Sequence, residues 1–540
     1  MKRIYKITQV ALFGAFIVGC TDLDTAPLSS TITADQKEDV VAADPSKIEA
    51  SVTAITANFT QYAKIYTEDD NVHSDIGYPT IMLATDSRTT DFVADITGYN
   101  WYSNSANYSD CLSTSTATIE FWGTLYNQIY TANAVIGTVD NETSDSTLQF
   151  YLAQALAIRA FDYFTLVQLY QFNYKGHEDA PGVPIITSEN AEEVAANGCA
   201  RSTVKETYEF ILGDLNKAIE LLANTKKTRS DKRYVSLDVA YGIRARVHLT
   251  MHNYADALKD AEAALASTSS VPYSSAAVSK PTFIDIEDAS WMWGILITDK
   301  DRVSTTGICN FPSHMGSLNY GYASVGGWRR ISPKLYNQIP ESDVRKGWFL
   351  DDTGVSVNLP AAAQAYITKK GAPVYTQVKY GPMNDEWGSN NNATDVILMR
   401  VEEMYLIKAE AQAMNNDVSG GVNTLNSFVN TYRDPSYKCT ATTGEAVQEA
   451  VWHQRRIEFW GEGLAYFDIM RLNKGVNRLG CGFPKTAVFN IAAGDPVQIY
   501  SIPNKEVQYN PLLENNPLVS APTPIPDEAV SYTHLTLPTT

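Results

Sequence analysis

Helical periodicity is the feature that most constrains the fold of this chain. Between residues 147 and 171, apolar side chains recur every three or four positions, as they do on one face of an α-helix. The spacing continues at 201–223, where Thr203 and Glu206 predict an N-terminal capping box. Residues 236–266 predict a helical hairpin, because small residues at 3–4 spacing let two helices pack closely. These patterns predict a mainly α-helical scaffold of hairpins that resemble tetratricopeptide (TPR) units.

The scaffold is predicted in two parts, about 46–266 and 396–475, which flank a long insertion. Helices are predicted at 46–66, 119–140, 147–171, 201–223, 236–266, 396–415, 419–432 and 445–472. The insertion, about 270–395, interleaves Gly, Ser and Asn with aromatic residues, which is typical of irregular loops and short strands. Within it, Trp291 and Trp293 alternate on a predicted strand and are expected in the core. Loops on a rigid scaffold commonly carry function, so we expect the insertion to form a ligand-binding face.

The N-terminus predicts export and lipid anchoring. Three basic residues precede an apolar run from Val10 to Gly19, which is too short for a span of about 20 residues. Cys20 follows directly, as the modified cysteine does in a bacterial lipobox. We therefore predict that residues 1–19 are a signal peptide, that Cys20 is lipidated and that residues 20–45 form a tether. An ordinary cysteine beside an ordinary cleavage site is the alternative.

Charge limits the classes of partner. The chain has 42 Lys and Arg against 61 Asp and Glu, a formal net charge of −19. Nucleic-acid binding depends on neutralising phosphates, so no nucleic-acid partner is expected. The sequence contains no Walker A loop, no GxGxxG fingerprint and no GxSxG elbow, and no cofactor, catalytic residue or metal site is predicted.

Dense charges mark the helices near the C-terminal end of the scaffold. These residues are Arg455, Arg456, Glu458, Glu462, Asp468 and Arg471, with Glu402, Glu403 and Glu410 in a neighbouring helix. They lie on otherwise apolar helices, so ion pairs between helices explain them without chemistry. We predict a structural role for all nine.

Six segments follow one another over about residues 20–517: the entry at Cys20 to Pro27, the helix 147–171 followed by Val183-Pro184-Ile185, and segments 332–345, 399–411, 455–471 and 502–517. Together these segments resemble the SusD/RagB-like outer-membrane lipoproteins of the Bacteroidota. The resemblance covers nearly all of the mature chain and implies one SusD-like domain over 46–517. The remaining tail, 518–540, departs from the family pattern, and 531–540 is similar to translated cloning sequence rather than native protein.

The resemblance implies a function as well as a fold. Proteins of this family lie on the outer leaflet of the outer membrane and pair with a SusC-like TonB-dependent transporter. They capture a polymer fragment, usually a glycan, and they are not enzymes. Their TPR-like helices usually face the transporter, whereas the irregular loops carry the ligand site. We expect the same arrangement here.

Candidate ligand contacts follow from the chemistry of sugars and from the family's pattern. Flat aromatic rings cover the apolar faces of a sugar, and amide, carboxylate and guanidinium groups bind its hydroxyls. The predicted contacts are Trp101, Tyr102 and Asn104 in one loop, Asp86 and Arg88 upstream, and Tyr320, Tyr322 and Trp328 among the glycines of the insertion. A packed loop is the alternative for the first set of rings, and a small satellite core is the alternative for the last.

Three other functions remain open at the level of sequence. A RagB-like protein would bind peptides, with the aromatic loops as pocket walls. A surface glycan hydrolase would use a pair of carboxylates, which the sequence does not single out. A TPR scaffold without a ligand would use the same aromatic residues for folding alone.

Overall fold

The computed structural model describes residues 34–62, 72–305 and 307–527. The predicted signal peptide, Cys20 and residues 531–540 lie outside these ranges. Within them, no helix is both long and apolar enough to cross a bilayer.

Helices form most of the regular structure. The α-helices are α1 (Ala34–Ala43), α2 (Glu49–Ala57), α3 (Tyr78–Ser87), α4 (Ser103–Ala106), α5 (Thr116–Ile136), α6 (Ser146–Tyr170), α7 (Ala191–Asn197), α8 (Val204–Asn224), α9 (Leu237–Thr250), α10 (Tyr254–Ser267), α11 (Ser275–Val278), α12 (Arg302–Thr305), α13 (Phe311–Met315), α14 (Pro333–Tyr336), α15 (Ala361–Lys370), α16 (Val401–Met414), α17 (Val418–Tyr432), α18 (Gly444–Glu458), α19 (Ala465–Arg471) and α20 (Asn504–Tyr509). The strands are β1 (Phe92–Ala94), β2 (Trp291–Ile295), β3 (Arg329–Ile331), β4 (Val396–Arg400), β5 (Val476–Asn477) and β6 (Asn490–Ile491). The mainly α-helical fold is confirmed.

Successive helices of the scaffold pack against one another. Helix α6 packs against α5 and α8, α8 against α9, and α9 against α10. Helix α10 then packs against α16, which also contacts α17 and α18, so the two parts of the scaffold form one continuous helical layer. Between α9 and α10, the small residues Ala257, Ala261 and Ala264 are fully buried, as their spacing predicts. The TPR-like architecture is therefore confirmed.

Local sequence signals set where α6 and α8 begin. Asp145 caps α6 by accepting hydrogen bonds from the backbone N–H groups of Thr147 and Leu148. Thr203 and Glu206 form the predicted capping box of α8, in which each side chain accepts from the other residue's backbone N–H. Such caps satisfy N–H groups that have no partner inside the helix, so they fix where the helix begins.

Three predicted helices differ from the observed elements. The helix predicted at 46–66 is represented by the shorter α2, and residues 63–71 are outside the described ranges. The first five residues of the helix predicted at 396–415 form β4, which pairs antiparallel with β2. That prediction was wrong for residues 396–400, because a short apolar run fits a buried strand as well as a helix.

The helix predicted at 445–472 is broken into α18 and α19. Gly461 and Gly463 lie between them with φ of 77° and 73°, in the left-handed region that favours glycine. A Cβ atom on Gly463 would lie only 2.8 Å from the Cβ of Met82, so the chain needs glycine there for packing as well. The single-helix prediction was wrong because apolar spacing continues across this turn.

Buried ion pairs account for the dense charges, so their predicted structural role agrees with the structure, although several partners lie outside the helices. The pairs beyond the centre of the cluster are Arg246 with Glu403, Arg455 with Asp468, Arg456 with Asp91, and Arg471 with both Glu410 and Asp468. At the centre, the carboxylates of Glu458 and Glu462 form ion pairs with four basic side chains. Arg345 and Lys379 come from the insertion, and Arg400 and Arg433 come from the scaffold. This buried network ties the insertion to the C-terminal helices.

Trp291 and Trp293 lie in the core, as predicted. Both side chains are fully buried on β2. Trp293 donates from its indole N–H to the carbonyl of Arg233 at 3.0 Å, and its ring packs edge-on against Phe59 and Phe161.

Candidate functional site

Two loops that are distant in sequence lie side by side. Strand β1 pairs antiparallel with β3, which brings residues 97–104 beside residues 320–328. The hydroxyl of Thr97 donates to the carbonyl of Gly326 at 3.3 Å. A Cβ atom on Gly327 would lie 2.8 Å from the carbonyl oxygen of Tyr99, so glycine permits this close approach. The sequence-predicted aromatic loops are thus neighbours in space.

Four rings from these loops are exposed or half-buried, and we call Tyr99, Trp101, Tyr320 and Tyr322 the aromatic surface. Tyr99 is 52% exposed and Tyr320 is 47% exposed. Trp101 and Tyr322 are half-buried, with ring centroids 6.1 Å apart in an edge-to-face arrangement. The structure therefore brings together three of the predicted contacts, Trp101, Tyr320 and Tyr322. Asn104, on the neighbouring α4, is exposed.

Two histidines that the sequence analysis did not single out support these rings. The imidazole of His73 stacks on Trp101 with centroids 4.8 Å apart, and its Nδ1 shares a hydrogen bond with the hydroxyl of Tyr322. His314 stacks on Tyr322 at 4.9 Å. Neither histidine belongs to a motif, and only the long-range pairing of the loops places them here.

A buried arginine fixes the backbone behind the aromatic surface. Arg329, on β3, donates to the side-chain oxygen of Asn100 at 2.8 Å and to the carbonyl of His314 at 2.9 Å. Burial lowers the pKa of Arg329 to about 10, so the guanidinium stays charged at neutral pH. The next residue, Arg330, forms an ion pair with Asp95 at 2.7 Å. The first loop and α13 are thereby tied to β3.

Tyr102 and Trp328 lie in the interior, which corrects their prediction as ligand contacts. Tyr102 is 2% exposed, and its ring packs edge-on against His314. Trp328 is 7% exposed and belongs to a small core with Leu318 and Ile367. Tyr102 is therefore a packed loop aromatic, and Trp328 belongs to a satellite core.

Asp86 and Arg88 are also buried, so they leave the candidate ligand set. Every residue of α3 is buried, and Asp86 at its end accepts a hydrogen bond from the backbone N–H of Gly463 at 2.9 Å. Burial raises the pKa of Asp86 to about 7. Arg88 lies 3.5 Å from Asp110, and its guanidinium covers the ring of Tyr500 at 4.1 Å. Both side chains join α3 to C-terminal segments, which sequence position alone does not reveal.

A separate cleft of about 580 Å³ lies beside the C-terminal end of α2. Its lining is rich in amides, hydroxyls and charged groups, and includes Asn58, Thr60, Gln61, Tyr62, Asn127, Arg233, Thr298, Asp301 and Arg302. None of the predicted ligand contacts lines it. The lining comes from several segments far apart in sequence, so no local pattern indicates it.

Two family models match separate parts of the chain. The model described as "Starch-binding associating with outer membrane", a SusD-like family, matches residues 35–249. The model of the SusD family, which includes RagB, matches residues 345–518. Together they cover most of the scaffold and part of the insertion, and the first description associates the family with the outer membrane.

Individual relatives agree with these models. The chain is 25% identical to SusD-like protein P2 of Formosa agariphila over 392 residues, 66% of this chain and 72% of that protein. SusD-like protein P38 of the same organism is 23% identical over 404 residues, covering 66% and 73% of the two chains.

Solved structures show the same fold. A SusD-like carbohydrate-binding protein from Bacteroides vulgatus superposes with a TM-score of 0.70 at 23% identity, covering 86% of this chain and 96% of that one. A SusD superfamily protein from Bacteroides thetaiotaomicron gives 0.70 at 21% identity, covering 88% and 99%. With both family models, the relatives and the fold in agreement, this chain belongs to the SusD/RagB-like family.

Proposed function

We propose that this protein is a cell-surface glycan-binding lipoprotein. It captures oligosaccharides or polysaccharides and delivers them to a SusC-like TonB-dependent transporter in the outer membrane. The observation that carries the proposal is the aromatic surface, in which two loops from distant parts of the chain present rings to solvent.

The chemistry of the aromatic surface suits a sugar better than an apolar ligand. Tyr and Trp rings cover the C–H faces of a sugar, and the phenol hydroxyls of exposed Tyr99 and Tyr320 can form hydrogen bonds with it. Exposed Asn104 adds an amide that can bind vicinal hydroxyls. The similar protein from Bacteroides vulgatus is described as carbohydrate-binding, which supports the same ligand class.

The arrangement of charge favours binding over catalysis. Glycoside hydrolysis needs two carboxyl groups that flank the scissile bond, about 5–10 Å apart. Asp95, the carboxylate closest in sequence to Tyr99, is held in an ion pair by Arg330. Asp75, close in sequence to His73, is fully buried. We therefore propose capture without cleavage.

Affinity electrophoresis against a panel of polysaccharides tests the ligand class. We expect at least one of soluble starch, xylan, laminarin, galactomannan and polygalacturonate to retard the protein, and no sugar release during prolonged incubation. Serum albumin serves as the non-binding control. Calorimetric titration with a tryptic digest of casein tests the peptide alternative. Heat release with the digest, together with unretarded migration in every gel, would replace the glycan proposal by a RagB-like peptide proposal.

Lipid anchoring at Cys20 is a separate part of the proposal. We expect cells grown with an alkyne-tagged palmitate to label the wild-type protein, and Cys20→Ala to abolish the label and release the protein from the membrane fraction. Cys199→Ala is the matched control, because Cys199 is partly exposed in the folded domain and is expected to leave labelling intact. Equal labelling of wild type and Cys20→Ala would contradict the anchor.

A further inference from the structure

His73 occupies a position between the two halves of the aromatic surface. Its ring centroid lies 4.8 Å from that of Trp101, at 26°, and 5.9 Å from that of Tyr322. The two larger rings touch each other only edge-on, at 6.1 Å. His73 therefore contacts both rings, by a stack on Trp101 and by a hydrogen bond to the hydroxyl of Tyr322.

The backbone around His73 is held by residues other than the four rings of the aromatic surface. Its carbonyl accepts a hydrogen bond from Nε2 of His314 at 2.9 Å. Since a carbonyl only accepts, Nε2 of His314 carries the hydrogen. The next carbonyl, that of Ser74, accepts from the hydroxyls of Thr80 and Tyr102. His73 thus has a fixed position, and its contacts can restrain the orientation of the Trp101 and Tyr322 rings.

The charge state of both histidines is consistent with a supporting role. Burial lowers the pKa of His73 below its ordinary value. Burial also lowers the pKa of His314 to about 3. Both rings are therefore neutral at pH 7, and the stacks they form are contacts between uncharged aromatic groups.

We propose that His73 is a positioning residue of the aromatic surface: it holds the Trp101 and Tyr322 rings in the orientation that receives a sugar. This inference rests on the proposed glycan-binding function and adds a residue to it. A ring held before binding loses less conformational freedom when a ligand arrives, so pre-organisation increases affinity without an additional ligand contact.

Four variants separate the stack from the hydrogen bond. We expect His73→Ala to weaken binding to the most strongly retained polysaccharide of the panel about tenfold. His73→Phe keeps a stacking ring and is expected to recover part of that loss. Tyr322→Phe removes the hydroxyl but keeps the ring. Because His73→Phe and Tyr322→Phe remove the same hydrogen bond, their double variant is expected to bind about as well as either single variant.

The matched control is His177→Ala. His177 also packs on an aromatic ring, that of Phe172 at 5.4 Å, and hydrogen-bonds a backbone carbonyl. It belongs to a different loop, so its loss is expected to leave affinity unchanged. The positioning role is refuted if His73→Ala binds the polysaccharide within twofold of wild type. It is also refuted if the loss of affinity in the double variant equals the product of the losses in His73→Phe and Tyr322→Phe.

A ligand-free measurement separates this proposal from the proposed function. The near-ultraviolet circular dichroism of Trp101 is obtained as the difference between a protein and its Trp101→Phe variant, measured once in wild type and once in His73→Ala. We expect this difference signal to be weaker in His73→Ala, because the indole loses its fixed neighbour. If no polysaccharide retards the wild-type protein, the glycan function fails, yet this spectrum still reports on His73. An unchanged Trp101 spectrum in His73→Ala would overturn the positioning role even if the protein binds glycan.

Discussion

Glu458→Gln is expected to destabilise the folded protein by about 3–5 kcal/mol, because it removes the carboxylate that three buried arginines share and leaves their charge only partly balanced by Asp343, Glu402 and Glu462. The Glu458 side chain is fully buried. Its carboxylate accepts from Arg433 at 2.7 and 2.8 Å, from Arg400 at 3.1 Å and from Arg345 at 3.2 Å. The Gln amide has the same shape, so the change removes charge and leaves the packing volume almost unaltered.

The three guanidinium groups also fix the sign of the pH dependence. Burial alone raises the pKa of Glu458, but Arg433, Arg400 and Arg345 together hold it well below its ordinary value. An acid with a lowered folded pKa contributes stability that is fully present above its unfolded pKa of 4.5 and is lost as pH falls through the folded value. We therefore expect the difference in unfolding free energy between wild type and Glu458→Gln to be largest at neutral pH and to become smaller in strong acid.

Urea unfolding followed by tryptophan fluorescence measures the effect. Glu209→Gln is the matched control: Glu209 is 61% exposed and lies 3.9 Å from Lys205 one helical turn away, so its loss is expected to cost under about 1 kcal/mol. If Glu458→Gln and Glu209→Gln shift the unfolding free energy equally, the buried network does not hold the insertion to the scaffold.

Helices of this protein are predictable from sequence because their signals are local. The capping box at Thr203 and the periodicity of α6 lie within a few residues of the elements they define. The same local rule misplaces residues 396–400, because the partner that makes them a strand, β2, lies about 100 residues earlier. It also misses the break at Gly461, where a turn follows α18.

Whether an aromatic side chain is exposed is much harder to predict from sequence than where a helix forms. Tyr320 and Trp328 stand in the same glycine-rich segment, yet Tyr320 is half-exposed whereas Trp328 packs into a satellite core. Which ring is buried depends on residues such as Leu350 and Val378, which arrive from other parts of the insertion. His73 has no sequence signal at all, since its role depends on the meeting of loops more than 200 residues apart.

Trp101→Ala is expected to weaken polysaccharide binding about 30-fold, or about 2 kcal/mol, because the indole offers the largest ring of the aromatic surface. Its half-buried position, stacked on His73 and edge-on to Tyr322, keeps the ring ordered while part of its surface stays accessible. Trp101→Phe retains a smaller ring at the same place and is expected to lose affinity by a smaller factor.

The matched control for Trp101→Ala is Tyr130→Ala. Tyr130 is 73% exposed on α5, outside the two loops, so its removal tests whether any exposed ring contributes to binding. Calorimetric titration with oligosaccharides from the retained polysaccharide gives both affinities, and thermal unfolding checks that each variant is folded. An affinity of Trp101→Ala equal to that of Tyr130→Ala would mean that the aromatic surface is not the ligand site, and the polar cleft beside α2 would become the next candidate. A selective loss in Trp101→Ala would instead place the sugar on the loops joined through β1 and β3.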